Sequence, residues 1–255
     1  MARRTSELYI FTTSPRPDPY VNILVHATTK FDLKHIHFIS IIEHDYQGES
    51  GEKRAAAIAG AAQELLESLA EGRYVNNRGE LEGLSADHAA VYQRCLDRLK
   101  YARISSLGVR WADLGETLKR FSKGNDALFD VTALKKNLLV DSIALLLSQA
   151  ETEVWTFELL KNPTFDVNDL AHNLTEDQDY KYRRLTDSRH VETARRRMIS
   201  GSLTMHTLGG ITGAIVIPVA LVQIFWPNSL IQSGIAGVGT ATSIAGWFFF
   251  MHRQR

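Results

Sequence analysis

The sequence predicts an α/β domain built around a parallel sheet, followed by a C-terminal two-helix transmembrane hairpin. In the first 161 residues, short runs rich in β-branched and aromatic residues alternate with segments of helical periodicity. This alternation indicates a parallel sheet with helices on both faces. Residues 199–251 contain no Asp, Glu, Lys or Arg, although 23% of the residues in the chain are charged. An uncharged run of this length predicts membrane spans.

The chain begins with a predicted strand, loop and helix. Residues 7–13 are rich in aromatic and β-branched side chains, which favours a strand. Three prolines follow, and they block further ladder pairing. Pro19 suits the first turn of a helix. Residues 20–29 then place Val21, Leu24 and Val25 on one helical face, which predicts the first helix.

A second strand and helix come next, with an unusual segment after them. Residues 35–42 form a nearly continuous apolar run, as expected for a strand buried on both faces. Residues 52–69 predict an amphipathic helix. Residues 73–83 are polar and rich in turn formers, and residues 85–100 predict a helix capped by Ser85. We interpret residues 73–101 as an insertion or an edge element.

The alternation then resumes. Residues 103–109 predict a weak strand, and residues 111–121 a helix that ends at Lys-Gly-Asn. The remaining predicted elements are a strand at 127–131, an apolar-faced helix at 134–149 and a final strand at 153–160. This order is typical of a Rossmann-like parallel sheet. The predicted domain spans residues 1–161, and residues 162–198 are expected to be a charged linker.

The tail, residues 199–255, is expected to hold two spans at about 203–226 and 230–251. A spanning helix needs about 20 apolar residues to cross roughly 30 Å of hydrocarbon. Pro and Asn at 227–228 favour a turn between the spans. Arginines flank the tail on both sides, so the positive-inside rule places both termini in the cytoplasm and the protein in the cell inner membrane. The alternative is a buried helical hairpin of a soluble core.

The composition excludes several classes. Lys+Arg and Asp+Glu are equal at 29 each, so no basic excess indicates a nucleic-acid surface. The one cysteine, Cys95, excludes an internal disulfide and a paired-cysteine metal site. The basic first residues lack the apolar run of a secretory signal, so the domain is expected in the cytoplasm. No cofactor or metal is expected.

Two loops at the expected carboxyl edge of the sheet are candidates for a binding site, because ligands of open parallel sheets bind there. The first loop contains Thr12, Thr13, Ser14 and Arg16. Hydroxyls, free backbone amides and a guanidinium that lead into a helix suit an anion such as a phosphate.

The second loop contains Asp130, Thr132, Lys135 and Lys136. A hydroxyl and two lysines at a helix start also suit a phosphate. The macrodipole disfavours lysine at a helix N-terminus, so two of them there favour a bound anion. The structural alternative is that Thr132 caps the helix and both lysines are solvated.

The same loops resemble motifs of the CARF family, the CRISPR-associated Rossmann-like fold. The first strand, Thr13-Ser14-Pro15 and the first helix look like the opening of a CARF domain. The segment Asp130-x-Thr132-x-x-x-Lys136 is similar to the second motif of the family. The resemblance covers about residues 7–160.

This resemblance implies a homodimer that binds a cyclic oligoadenylate, or a related cyclic nucleotide, across its twofold axis. By motif position, Thr13, Ser14, Thr132 and Lys136 would contact that ligand. The hairpin occupies the place of the effector module. The implied function is therefore a membrane effector of prokaryotic anti-phage immunity, whose partners are the lipid bilayer, the cyclic nucleotide and a second copy of the chain. No direct nucleic-acid partner is expected.

The sequence is also compatible with two other functions. One is a nucleotide-cleaving enzyme anchored to the membrane, which the absence of an acid–base pair near the two loops disfavours. The other is a membrane scaffold without a ligand.

Overall fold

The computed structural model describes residues 6–43, 50–75, 79–122, 127–148, 152–162, 167–189, 191–193 and 195–196. The predicted spans at about 203–226 and 230–251 lie outside these residues. None of the helices within the described ranges has the length and apolarity needed to cross a bilayer.

The described residues include eight strands and five α-helices. The strands are β1 Glu7–Thr12, β2 His35–Ile42, β3 Arg73–Val75, β4 Leu81–Gly83, β5 Arg103–Arg110, β6 Ala127–Asp130, β7 Glu153–Leu159 and β8 Tyr180–Arg184. The helices are α1 Asp18–Lys30, α2 Gly51–Ala70, α3 Ala86–Leu99, α4 Leu114–Phe121 and α5 Lys136–Leu147.

Six of the strands form one sheet in the order β5-β2-β1-β6-β7-β8. All neighbours in this sheet are parallel except β7 and β8, which pair antiparallel. The prediction of an α/β, Rossmann-like sheet is confirmed, with the difference that the last strand runs in the opposite direction.

Helices cover both faces of the sheet, as predicted. Successive side chains of a strand point to opposite faces. Leu8 and Ile10 of β1 therefore pack with apolar residues of α1, α2 and α3. Tyr9 and Phe11 face the other way and pack with apolar residues of α4 and α5. This two-sided burial explains why the inner strands read as continuous apolar runs.

Several predicted boundaries shift by a few residues. The helix expected at 134–149 begins at Lys136, and the helix expected from residue 111 begins with a 3₁₀ turn, Trp111–Asp113, before α4. Within the predicted insertion, β3 and β4 form a short antiparallel hairpin. Ser85 caps α3 as predicted, because its hydroxyl accepts a bond from the amide of His88.

The prediction of a linker from residue 162 is wrong for the residues around β8. This strand completes the sheet, with Tyr182 opposite Phe157. Its tyrosines, Tyr180 and Tyr182, are buried, whereas Lys181 and Arg183 alternate with them towards solvent. The alternation has the strand period of two. The charged residues between the tyrosines hid this strand from a prediction based on composition.

Candidate ligand-binding site at the reversal of strand order

The order of strands reverses beside β1. From β1 the chain adds β2 and β5 on one side, and it then adds β6, β7 and β8 on the other. Ile10 of β1 lies opposite Asp130 of β6, so the two candidate loops follow neighbouring strands at the same edge. In open α/β sheets the crevice at such a reversal is the usual ligand site.

A cavity of about 410 Å³ lies at this edge. This volume is within the range of small-molecule sites, about 300–1,000 Å³. Its lining comes from four parts of the chain: Thr13, Ser14 and Arg16 after β1; Asp18, Pro19 and Asn22 of α1; Thr132, Ala133, Leu134 and Lys135 after β6; and Phe157, Leu159 and Asp169 from β7 and beyond.

The first loop is held in place by internal hydrogen bonds. The buried Tyr20 hydroxyl donates to the Ser14 carbonyl (2.8 Å) and accepts from the Ser14 amide (3.1 Å). The Arg16 amide donates to the Ser14 hydroxyl (3.2 Å). Thus the amides of Ser14 and Arg16, expected to be free for an anion, are engaged within the loop. What these two residues present to the cavity is therefore their side chains.

Thr12 and Thr13 have structural contacts of their own. Thr12 is 1% exposed, and its hydroxyl donates to the Ile39 carbonyl of β2 (3.0 Å). Thr12 does not line the cavity. The Thr13 hydroxyl lines it and donates to the Ala133 carbonyl, which joins the two candidate loops across 120 positions of sequence.

Asp130 stabilises the second loop through a hydrogen bond. Its carboxylate is fully buried and accepts a bond from the Thr132 amide (2.9 Å). Burial raises the pKa of Asp130 to about 6, against the lowering effect of the Thr132 hydroxyl and amide. Asp130 does not line the cavity, so its role is to shape the loop.

Thr132 joins the second loop to β7. Its hydroxyl accepts a hydrogen bond from the Phe157 amide (2.7 Å) and also lies at the cavity. The residue at the N-cap of α5 is Lys135, which has no side-chain capping bond. The alternative in which Thr132 caps the helix is therefore wrong.

The two lysines differ in position. Lys135 lines the cavity, and its ammonium lies 3.8 Å from the Glu43 carboxylate after β2. Lys136 is the first residue of α5, is exposed and does not line the cavity. Both lysines are exposed, and of the two only Lys135 lines the cavity.

One wall of the cavity, which α1 and residues 167–173 form together, is not predicted by the sequence. The Asn22 side chain donates to the Asp169 carbonyl (2.7 Å) and accepts from the Ala171 amide (2.9 Å). Asp18 and Asp169 both line the cavity. Burial raises the pKa of Asp18; Arg16 lowers it, and Asp169 raises it further. No local signal marked Asp169, which belonged to the predicted linker.

The lining can hold a small ligand with both anionic and hydrogen-bond-donating groups. Lys135 and Arg16 supply positive charge, Asp18 and Asp169 supply acceptors, and Phe157 supplies an apolar surface. Within the described ranges no group of three His, Cys, Asp or Glu residues is placed to hold a metal ion.

Neither a protein-family model nor a curated protein sequence matches the chain. Among solved structures, the chain is similar to an uncharacterized protein from Alicyclobacillus acidocaldarius subsp. acidocaldarius. The identity is 15%, the match covers 64% of this chain and 76% of that chain, and the TM-score is 0.22. A likeness at this level carries no conclusion about function.

Proposed function

We propose that the α/β domain binds a cyclic nucleotide in the cavity beside β1 and β6, and that binding controls the action of the tail on a membrane. The protein would then be a membrane effector of prokaryotic immunity with a CARF-like sensor. The observation that carries the proposal is that the motif residues Thr13, Ser14 and Thr132 line one cavity at the reversal of strand order. Lys135 lines it too, in place of the motif lysine, Lys136.

The chemistry of the cavity supports a nucleotide over a purely apolar ligand. Lys135 offers a charged donor for a phosphate, and Ser14 offers a hydroxyl. Phe157 and Leu159 offer an apolar wall for a base. A cavity of about 410 Å³ suits one nucleotide unit, so a cyclic oligonucleotide would extend beyond it and be shared by two copies of the chain.

The binding experiment uses the full chain in detergent, with cyclic di-, tri-, tetra- and hexa-adenylate measured by calorimetry. Lys135→Ala should weaken binding by roughly tenfold or more, because a charge-assisted hydrogen bond contributes about 1.5–3 kcal/mol. Lys136→Ala is the matched control, one residue away and outside the cavity. If only Lys136→Ala weakens binding, the ligand lies outside the cavity. If none of the four compounds binds, the proposal is wrong.

The membrane step is tested with the full chain in dye-loaded vesicles of bacterial lipid composition. Ligand should increase dye release from vesicles that carry the wild-type protein, and Lys135→Ala should remove this response. If dye release is the same with and without ligand, the tail acts only as an anchor and the effector role is contradicted.

Cleavage of the ligand is the second candidate, and one observation favours it. Asp18 and Asp169 bring two carboxylates to the cavity, and burial raises the pKa of Asp18. Carboxylates in different environments can serve as general acid and base. Chromatography of the ligand after incubation with the wild type and with Asp169→Asn separates the candidates, because only an enzyme consumes ligand in an Asp169-dependent way.

A further inference from the structure

We infer that Asp18 and Asp169 form an acceptor end of the cavity, and that this end selects a ligand by an amino or hydroxyl donor and disfavours polyphosphates. This inference rests on the proposed function, and it names the chemistry that the same cavity recognises. No CARF-like motif residue is part of it, since both carboxylates lie outside the two loops.

The two carboxylates come from separate segments of the chain. Asp18 is in the first turn of α1, and Asp169 ends a 3₁₀ helix, Val167–Asp169. Asp169 is 5% exposed and Asn22 is 3% exposed. The two hydrogen bonds of Asn22 to residues 169 and 171 fix the wall that carries Asp169. The acceptor end is thus a built part of the cavity.

The cavity lining contains equal numbers of cationic side chains and carboxylates. Two cationic side chains, Arg16 and Lys135, and the two carboxylates line the cavity, and Lys135 is also paired with Glu43. A cavity with balanced charge gives little net attraction to a polyphosphate, whose extra charge would approach Asp18 and Asp169. A nucleotide unit with one phosphate and one donor group would find a cationic side chain for the phosphate and a carboxylate for the donor in the same cavity.

Burial removes water from the carboxyl group of Asp18. Burial makes the ionised form of Asp18 less favourable, Arg16 partly offsets this effect, and Asp169 adds to it. A ligand donor would restore part of the solvation that burial removes. An ionised carboxylate accepts hydrogen bonds and cannot donate them, so the ligand groups that fit are an exocyclic amine or a ribose hydroxyl. Carbonyl groups at the same position would be rejected.

The test compares cyclic tetra-adenylate with cyclic tetra-inosinate, which lacks the amine, and with cyclic tetra-2′-deoxyadenylate, which lacks the hydroxyl. For the wild type, the analogue without the contacted donor should bind roughly 10- to 100-fold more weakly, since bonds to charged groups contribute about 1.5–3 kcal/mol. In Asp169→Asn and in Asp18→Asn this preference should fall to within about threefold, as a double-mutant cycle requires of interacting groups.

Inorganic tripolyphosphate should show the opposite change in affinity. It should compete with cyclic tetra-adenylate more strongly for Asp169→Asn than for the wild type. Asp141→Asn, an exposed carboxylate on α5, is the matched control and should change neither quantity. Unfolding temperatures of all variants show that the domain is folded. If the wild type binds cyclic tetra-adenylate and the variants keep its full preference, the inference is wrong and the proposed function stands. If the wild type binds none of the three compounds, both fall.

Discussion

Asn22 of α1 donates a 2.7 Å hydrogen bond to the backbone carbonyl of Asp169, which lies 147 positions later in the chain. The same side chain accepts a bond from the Ala171 amide at 2.9 Å. One buried amide group therefore holds the segment 167–173 against the first helix. Asn22 and Asp169 both line the cavity, so this contact joins two parts of its wall.

Replacing Asn22 with Ala should lower the free energy of unfolding by about 2–3 kcal/mol, because two hydrogen bonds are lost and buried backbone groups lose their partner. Urea denaturation measures this change. Gln63→Ala is the control, since the Gln63 side chain bonds Glu67 on the exposed surface of α2; the loss there should stay within about 0.5 kcal/mol. Equal losses in both variants would show that Asn22 does not hold the wall.

Thr132 allows a test of the bond between the second loop and β7. Thr132→Val keeps the shape of the side chain but removes the acceptor of the Phe157 amide. Stability should fall by about 1–3 kcal/mol, the cost of an unsatisfied buried donor. Thr132→Ser retains the oxygen and should lose clearly less. The two variants are compared by chemical denaturation, and a larger loss for Ser than for Val would contradict this role.

Asp130 predicts a pH dependence of stability. Its pKa is raised from the ordinary value of about 3.9 to about 6 by burial. Between these values the folded state binds more protons than the unfolded state, so this group makes stability fall as pH rises from about 4 through 6. Tyr182, which faces it from β8, stays neutral because burial and Asp130 raise its own pKa.

Asp130→Asn removes the titrating carboxyl group and keeps an oxygen that can accept the bond from the Thr132 amide. The stability of the variant relative to the wild type should therefore increase as pH rises from 4 to 6 and level off above. Unfolding curves at pH 4, 5, 6 and 7 provide the measurement. The histidines His26 and His172, whose pKa values burial lowers to about 4, are common to both proteins and cancel in the difference. A difference that is constant with pH would contradict the assignment.

Gly108 tests the close approach of α2 to β5. A Cβ atom there would lie 2.6 Å from the amide nitrogen of Glu52 and 2.9 Å from the carbonyl carbon of Gly51. Because both neighbours are backbone, Gly108→Ala should cost about 1–3 kcal/mol. Gly60 lies within α2, and a Cβ atom there would meet no atom of the described residues within 4 Å. Gly60→Ala should therefore stabilise by about 0.5–1 kcal/mol. Thermal unfolding should shift in opposite directions for the two variants.

The inner strands could be predicted because burial on both faces leaves a continuous apolar run, as in β2. β8 could not, since its apolar residues are only Tyr180 and Tyr182 among charged neighbours. Its strand conformation depends on pairing with β7, which is a tertiary effect. Local propensity contains no information about such pairing.

Some residues of the candidate site could likewise be predicted from the sequence, and others could not. Ser14 and Lys135 could be assigned because each belongs to a loop directly after a parallel strand, and the sheet brings such loops together. Asp169 could not, because its position depends on where a distant segment packs. Asp130 and Thr12 are expected at the ligand because they belong to the same two loops, but both are buried and bond the protein itself.

The antiparallel direction of β8 determines where the chain leaves the sheet. Tyr180 lies opposite Leu159, near the cavity, and Arg184 lies opposite Trp155, towards the other rim. A strand of this length spans roughly 17 Å. The backbone thus enters β8 beside the cavity and departs from the far rim. The residues that follow β8 therefore begin about one strand length away from the cavity.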